Sequence, residues 1–511
     1  MRLTRRSGNE VILVVLLGLL TVAPVAMVRF LPVFDYPHWI YQAHVVANIS
    51  DYREWFDLQM GPIPNLGSTL FLWPMSLLLG AELAGRVLTG LYAFSMVLAF
   101  YYLVRGLSSH SGLVFFGSVF TFNYFFYEGF LSFLLGLPVL LFTIGLSVRT
   151  RNVTPFKWIT LTVLSVLSYL CHLFIWLPIL AYTLIRVFFM VCTGDRRSSV
   201  VYGTTQLLPL ALLVWYIRWR TSAETLSWNL YRSVSNKLFS LIAPLLPFSR
   251  TDPFPSVLPI LALNAAFALV IGFIIVLALR LYKANPDRSN FAALLLTALT
   301  LIAIAALLPL EMFGGMGAVD QRFVFTGFLL LMACAGSLLP SSSRLSLAVV
   351  SIVVIGLQCI SFVYCDRNLR TIHAALDSRT LGSPIHVAAF RRPPIYGECD
   401  PRIWDAGNGV FPLQWFPIFD IIERDLLDVR TFDTAIVVNR AGIPAVDFGE
   451  YETAKERQML VDSLSTRQTL PYEYLVLVGC PVDIESVSGI WKSGRGEMVN
   501  RSTYHRLIRL R

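Results

Sequence analysis

The chain has 511 residues, of which 56% are hydrophobic and 14% charged, and its mean hydropathy is +0.64. Soluble domains run near half apolar and about a quarter charged, so this composition excludes an ordinary soluble enzyme and points to a polytopic membrane protein. The formal charge of +9 is what basic cytoplasmic loops give such a protein, and it is not read as a nucleic-acid surface.

The N-terminal MRLTRR precedes an apolar stretch at 11–30, about 20 residues long and therefore able to span. It lacks a clear small-x-small cleavage site, so it reads as a signal anchor with a cytoplasmic N-terminus. Apolar segments of spanning or near-spanning length follow at 83–104, 111–126, 129–148, 158–173, 174–192, 201–217, 257–279, 291–309, 323–340 and 345–364. The run GSTLFLWPMSLLLG at 67–80 is too short to cross alone and reads as a re-entrant or interfacial piece. With that parity, Arg105, RTRN with Lys157, GDRRSS, RLYKANPDR and Arg344 all fall on the cytoplasmic side. The expected fold is an α-helical polytopic membrane protein of about eleven transmembrane helices over 1–364, with a first outer loop at 31–66.

Composition changes at Tyr364-Cys365. Residues 365–511 are polar with mixed charge. There HVAAF, TAIVVN and EYLVLVGC read as strands, and RNLRTIHAALD and ETAKERQMLVDSL as helices, which predicts a small C-terminal α/β domain outside the membrane. Of the scattered cysteines, only Cys365, Cys399 and Cys480 lie in this tail, with room for one disulfide and no zinc spacing.

The predicted topology gathers unusual polar residues on the outer side. The first outer loop carries Asp35, His38 and His44. Asp35 has the chemistry of a general base for an acceptor hydroxyl. Its bland reading is an N-cap of the helix that starts at Tyr36-Pro37. His38, on that helix, either assists Asp35 or is an interfacial polar residue, and His44 is read as bland. Glu128 sits in the aromatic turn NYFFYEG, and His172 in SYLCHLFIW, where a packed histidine is the alternative. GGMGAVDQR places Asp320 and Arg322 just before a span. Arg322 there has the geometry to hold a phosphate bidentately, against a flexible turn with an Asp–Arg surface pair. No GxGxxG, Walker A, GxSxG, HExxH or EF-hand pattern occurs.

These features resemble the integral-membrane glycosyltransferases of the GT-C fold, which use polyprenyl-phosphate sugars. The resemblance rests on Asp35 directly after span one and on the interfacial helix 38–49. It rests also on the run GSTLFLWPMSLLLGAELAGRVLTGLYAFSMVLAFYYLVRG and on the polar tail. It implies that Asp35 deprotonates an acceptor hydroxyl, which attacks the anomeric carbon with inversion, in a hexosyl or pentosyl transfer. Arg322 and His172 would stabilise the leaving lipid phosphate. Asp35 and Glu128 are then the catalytic acids, and His38, His172, Asp320 and Arg322 bind substrate. Many members carry Asp-Glu or a second acid in the next outer loop. Here Tyr36 follows Asp35, so Glu128 supplies the second acid, and any Mg or Mn ion would rest on Asp35 and Glu128. The implied partners are a polyprenyl-phosphate-linked sugar, a glycan, lipid or protein acceptor, and membrane lipid, with no nucleic acid. A bacterial inner membrane is the expected place, because the sequence shows no organelle-targeting signal, and the span parity puts the tail outside; cell-envelope glycan biosynthesis is the expected setting. The rival readings are a polysaccharide polymerase or ligase relying on basic residues of 218–256, a lipid-linked-sugar flippase or transporter, and a non-catalytic scaffold.

Overall fold

The structure, a computed structural model, describes residues 6–33, 35–54, 56–58, 61–108, 113–150, 153–220, 234–245, parts of 264–276, 288–309, 318–339, 344–375 and five short stretches of the tail. The first half comprises α1 (Arg6–Ala26), α2 (Tyr36–Ala47), α3 (Ile49–Tyr52), strand β1 (Phe56–Leu58), α4 (Gly67–Leu79), α5 (Ala81–Leu107), α6 (Tyr124–Glu128) and α7 (Leu131–Arg149). Then come α8 (Pro155–Cys171), α9 (Leu173–Cys192), α10 (Arg196–Gly203), α11 (Leu207–Arg220), α12 (Val234–Ile242), α13 (Arg288–Leu307), α14 (Val319–Leu338) and α15 (Arg344–Ala375).

Among the described residues, seven helical segments are long and apolar enough to cross a membrane: α5, α7, α9, the joined 196–219 segment, α13, α14 and α15. Among the same residues, three shorter apolar helices run over Glu10–Ala26, Gly67–Leu79 and Pro155–Cys171. Large apolar side chains stand outward on several of these helices, among them Val163 (58% exposed), Leu184 (60%) and Phe188 (63%). In water so much apolar surface would aggregate, whereas hydrocarbon solvates it. The chain is an integral membrane protein. The helix α14 lies innermost, with all but two of its residues buried.

The crossing predicted over 111–126 is not one long helix. A 3-10 helix at Leu113–Phe120 and the short α6 make it instead. A 3-10 helix rises about 2 Å per residue, against 1.5 Å for an α-helix, so a short segment reaches further. The run at 67–80 forms the 13-residue α4, too short to span alone, as expected. It turns into α5 at Gly80, whose φ of 75° suits glycine. Most of 257–279 lies outside the described residues.

The alternation of ends agrees with the sequence reading. At one end Arg29 Nε approaches Glu82 at 3.5 Å, Leu66 N–H donates to the Leu170 carbonyl at 2.9 Å, and Tyr169 Oη donates to the Pro62 carbonyl at 2.8 Å. At the other, Arg105 Nε pairs with Glu10 at 3.3 Å and the Arg149 guanidinium lies 4.0 Å over the Tyr102 ring. Arg186 joins that end by donating to Ser147 Oγ at 2.7 Å and to carbonyls at the C-terminus of α7. Asp35, Glu128 and His172 lie at the first end, and Arg105, Arg149 and Arg186 at the second.

The helix α15 runs without a break through Tyr364 and Cys365 to Ala375. The RNLRTIHAALD helix therefore extends the last span rather than opening a separate domain. In the tail, β2 (Ile385–Ala389), β4 (Tyr474–Val478), β6 (His505–Leu510) and β5 (Gly496–Arg501) form a sheet in the order β2-β4-β6-β5. Its β2 and β4 are parallel, and β4–β6 and β5–β6 antiparallel. The remaining strand, β3 (Val437–Asn439), pairs antiparallel with β1 in the first loop, with Asp57 opposite Val438. Three of these strands fall on the apolar runs read from sequence. The predicted helix ETAKERQMLVDSL, Cys399 and Cys480 lie outside the described residues.

Candidate functional site

Two short loops meet at the centre of the first end. Asp35 stands at the N-cap position of α2, with φ −79° and ψ −2°, but its side chain makes no capping hydrogen bond. Pro near the first turn supplies the start chemistry instead. A capping role therefore does not account for this carboxylate, which is buried at 8% exposure. The Asp35 N–H donates to the Glu128 carbonyl at 3.3 Å, and Trp39 Nε1 donates to the Gly129 carbonyl at 3.0 Å. Thus the two acid-bearing segments are pinned to each other through their backbones.

Both caps of α6 explain why so short a helix holds Glu128 in place. The Asn123 side chain accepts from Phe125 N at 2.9 Å and Phe126 N at 3.2 Å. At the other end Gly129 takes the left-handed conformation, φ 81°, and its N–H donates to the Phe126 carbonyl at 3.1 Å. A Cβ on Gly129 would sit 2.5 Å from the Asp35 nitrogen and 2.9 Å from its Cα. Gly129→Ala is therefore expected to cost about 2–4 kcal/mol, from left-handed strain plus overpacking, and to separate the acids. Thermal unfolding checks the cost. A melting temperature equal to that of the parent would refute the contact.

Tyr124 lies one helical turn before Glu128. Its hydroxyl hydrogen-bonds to Glu128 and to Gln321. As a donor it links the acid turn to the start of α14.

Arg322 follows on that helix. Its guanidinium lies 4.6 Å from the Phe130 ring centroid, 5.5 Å from that of Phe174 and 5.8 Å from that of Phe133. The residue is buried, and its Nε meets no hydrogen-bond acceptor among the described residues. Nor does a carboxylate pair with it among them: the neighbouring Asp320 points elsewhere. The fully buried Asp320 accepts from Lys237 Nζ at 2.7 Å, Ser240 Oγ at 3.3 Å and the Gln321 N–H at 2.8 Å. Lys237 also donates to the carbonyls of Ala305 and Leu308, at 2.8 and 2.6 Å. The flexible surface pair Asp320–Arg322 read as the bland alternative is absent, and Asp320 serves the junction of α12, α13 and α14. Lys237→Met would strand the Asp320 charge in the interior and is expected to destabilise by about 3–5 kcal/mol. Double replacement with Asp320→Leu should recover most of that in denaturation measurements, and a failure to recover it would contradict the pairing.

His172 closes α8 and opens α9. Its Nδ1 accepts from Phe174 N–H at 3.2 Å, and its ring stacks on Phe174 at 5.4 Å and meets Phe133 edge-on at 5.7 Å. His172 and Arg322 thus share two phenyl rings. Burial, and then the Arg322 charge, push the His172 pKa well below its usual value. The imidazole is neutral, and with Nδ1 accepting, its proton sits on Nε2. His38 is buried on α2 with its ring edge-on to Trp39 at 6.3 Å. His44 bonds Tyr52 Oη at 3.2 Å, away from the acids.

The structure therefore joins Asp35 to Glu128, Glu128 through Tyr124 to Gln321 and Arg322, and Arg322 to His172. Asp320 is separate, facing Lys237. The residues missed in the sequence are Tyr124 and the three phenylalanines. The i, i+4 spacing of Tyr124 and Glu128 was the available signal. Among the described residues no three His, Cys, Asp or Glu side chains come together as a metal-ligand group.

No family profile matches the chain, and no curated protein does. Among solved structures the chain is similar to ArnT from Cupriavidus metallidurans bound to undecaprenyl phosphate, at 11% identity and a TM-score of 0.42 over 98% of each chain. It is similar also to ArnT from the same organism in the apo state, at 10% identity and a TM-score of 0.41, over 99% of this chain and 98% of that one.

Proposed function

We propose that the protein is a membrane glycosyltransferase that moves a sugar from a polyprenyl-phosphate donor to an acceptor hydroxyl, with inversion. The observation that carries this reading is the buried Arg322 guanidinium, held among phenyl rings at the end of the bundle where the loops bearing Asp35 and Glu128 are joined through their backbones. A buried cation without a carboxylate partner costs several kcal/mol, and an anionic ligand offsets that cost. Facing hydrocarbon-embedded helices, the anion with the right chemistry is a lipid phosphate.

In this reading Asp35 takes the acceptor proton as its oxygen attacks the anomeric carbon. The bond from that carbon to the phosphate oxygen breaks, and the polyprenyl phosphate leaves with the electron pair. Arg322 meets the developing charge through two N–H groups, and neutral His172 donates from Nε2. Glu128 is the second acid, with the Tyr124 hydroxyl donating to it. A divalent cation, Mg or Mn, would be held by Asp35 and Glu128 and would supply positive charge to the departing phosphate. His38, on the same face of the first loop, borders the acceptor side. Asp320 acts through Lys237 on the shape of the site.

The proposed orientation is that of the positive-inside pattern, with the site and the tail outside a bacterial inner membrane and the N-terminus in the cytoplasm. The acceptor is a glycan, lipid or protein, and the sugar moved is a hexose or a pentose. A polymerase or ligase relying on basic residues of 218–256 has less support, because Lys237 is committed to Asp320 and to helix carbonyls.

The test is transfer of labelled sugar from a panel of polyprenyl-phosphate donors by the purified protein in nanodiscs, with the anomeric configuration of the product determined. Transfer with inversion is expected. No transfer across the panel, together with movement of lipid-linked sugar across proteoliposomes, would replace the transferase with a flippase.

A further inference from the structure

One face of α15, opposite the lipid, touches both acid-bearing loops. Gln358, Phe362 and Asp366 are spaced i, i+4, i+8, so they form a single stripe. Gln358 accepts the Tyr127 hydroxyl, one residue before Glu128. Phe362 packs on the rings of Phe122 at 5.1 Å, Phe126 at 5.7 Å and Tyr127 at 6.3 Å. The third residue, Asp366, reaches the other loop. Its Oδ1 accepts from two successive peptide N–H groups, Arg29 at 3.0 Å and Phe30 at 2.8 Å, while Oδ2 accepts from Arg370 Nε at 2.7 Å.

From this geometry we infer that Asp366 is a positioning residue for the Asp35–Glu128 pair, and that α15 is the plate against which both acids are set. The chain leaves α1 at Ala26, is gripped at 29–30 by Asp366, and is gripped again at Asp35 by the Glu128 carbonyl. Only residues 31–34 lie between the two grips, so a shift at the first moves Asp35 directly. The same helix fixes Tyr127, so both acids take their place from one rigid element. The essential atom is the Oδ1 acceptor, because two N–H groups depend on it. The negative charge on Oδ2 serves Arg370, which is largely exposed and has water as a substitute.

The test compares full-length Asp366→Ala and Asp366→Asn with wild type in nanodiscs, by donor-dependent turnover and by hydrogen exchange of the backbone at 27–36 and 123–130. The turnover arm rests on the glycosyltransferase reading, whereas the exchange arm does not. Asp366→Ala is expected to lower kcat about 100-fold with the donor KM little changed, as misplacement of a reacting group does. Exchange at 27–36 is expected to quicken by about tenfold or more. Asp366→Asn keeps the Oδ1 acceptor and is expected to restore kcat to within about threefold of wild type, and exchange with it. Wild-type exchange and kcat in Asp366→Ala would overturn the proposal. So would an Asn variant as impaired as the Ala variant, since charge rather than the acceptor would then matter. If wild type transfers no sugar, the exchange comparison alone decides: quickened exchange in Ala and protection in Asn uphold the clamp, and any other pattern refutes it.

Discussion

Asp35→Asn is expected to lower kcat by about a thousandfold, the middle of the range for removing a general base. The substitution is nearly isosteric, and the contacts that shape the loop survive it. The bond to the Glu128 carbonyl comes from the Asp35 peptide N–H, and the start of α2 does not rely on the Asp35 side chain. Melting temperature and donor KM should therefore stay close to wild type while turnover falls. Steady-state transfer with labelled donor, alongside thermal unfolding of the same preparations, checks both halves. Parallel loss of stability and turnover would assign the carboxylate to structure, and unchanged turnover would remove it from the chemistry.

Arg322→Met is expected to have the opposite signature. Two charge-assisted hydrogen bonds to a phosphate are lost, worth about 3 kcal/mol together, so donor affinity should fall roughly 100-fold. The fold should not suffer. A buried cation is replaced by an apolar side chain of similar length, which is neutral or stabilising by about 1 kcal/mol in such settings. The lost contacts with Phe130, Phe133 and Phe174 offset part of that gain. Arg322→Lys keeps the charge but loses the planar fork, and its donor affinity should lie between the two. A methionine variant that unfolds readily while wild type binds no anionic lipid would show the arginine to be a packing element.

Much of the architecture was legible because hydrocarbon imposes a simple rule: long apolar runs become helices, and basic residues collect at one end. The candidate residues shared an end for the same reason, since parity alone brings 35, 128, 172 and 322 together. Local chemistry was harder to read. The 111–126 run has the length and apolarity of a helix, yet Asn123 and Gly129 cap the chain into a five-residue turn and leave a 3-10 segment before it. Asp320 and Arg322 are two residues apart in sequence, which suggested a shared role. On a helix that spacing turns them to different faces, one toward Lys237 and one toward Phe130. The pairing of Asp320 with Lys237 spans 83 positions, and no local pattern announces it. Nor does any pattern show that a carboxylate of the last membrane helix, Asp366, grips the exit of the first.

The central claim is that the aromatic-lined Arg322 site holds a lipid phosphate. The most direct measurement is the melting temperature of wild type and Arg322→Met in nanodiscs, with and without polyprenyl phosphate, using the corresponding polyprenyl alcohol as control. At about 100 times Kd, binding stabilises the native state by about 2.7 kcal/mol. A rise in melting temperature with the phosphate in wild type is expected, with none for the alcohol and none for Arg322→Met. Equal rises in wild type and Arg322→Met, or equal rises with phosphate and alcohol, would contradict the account.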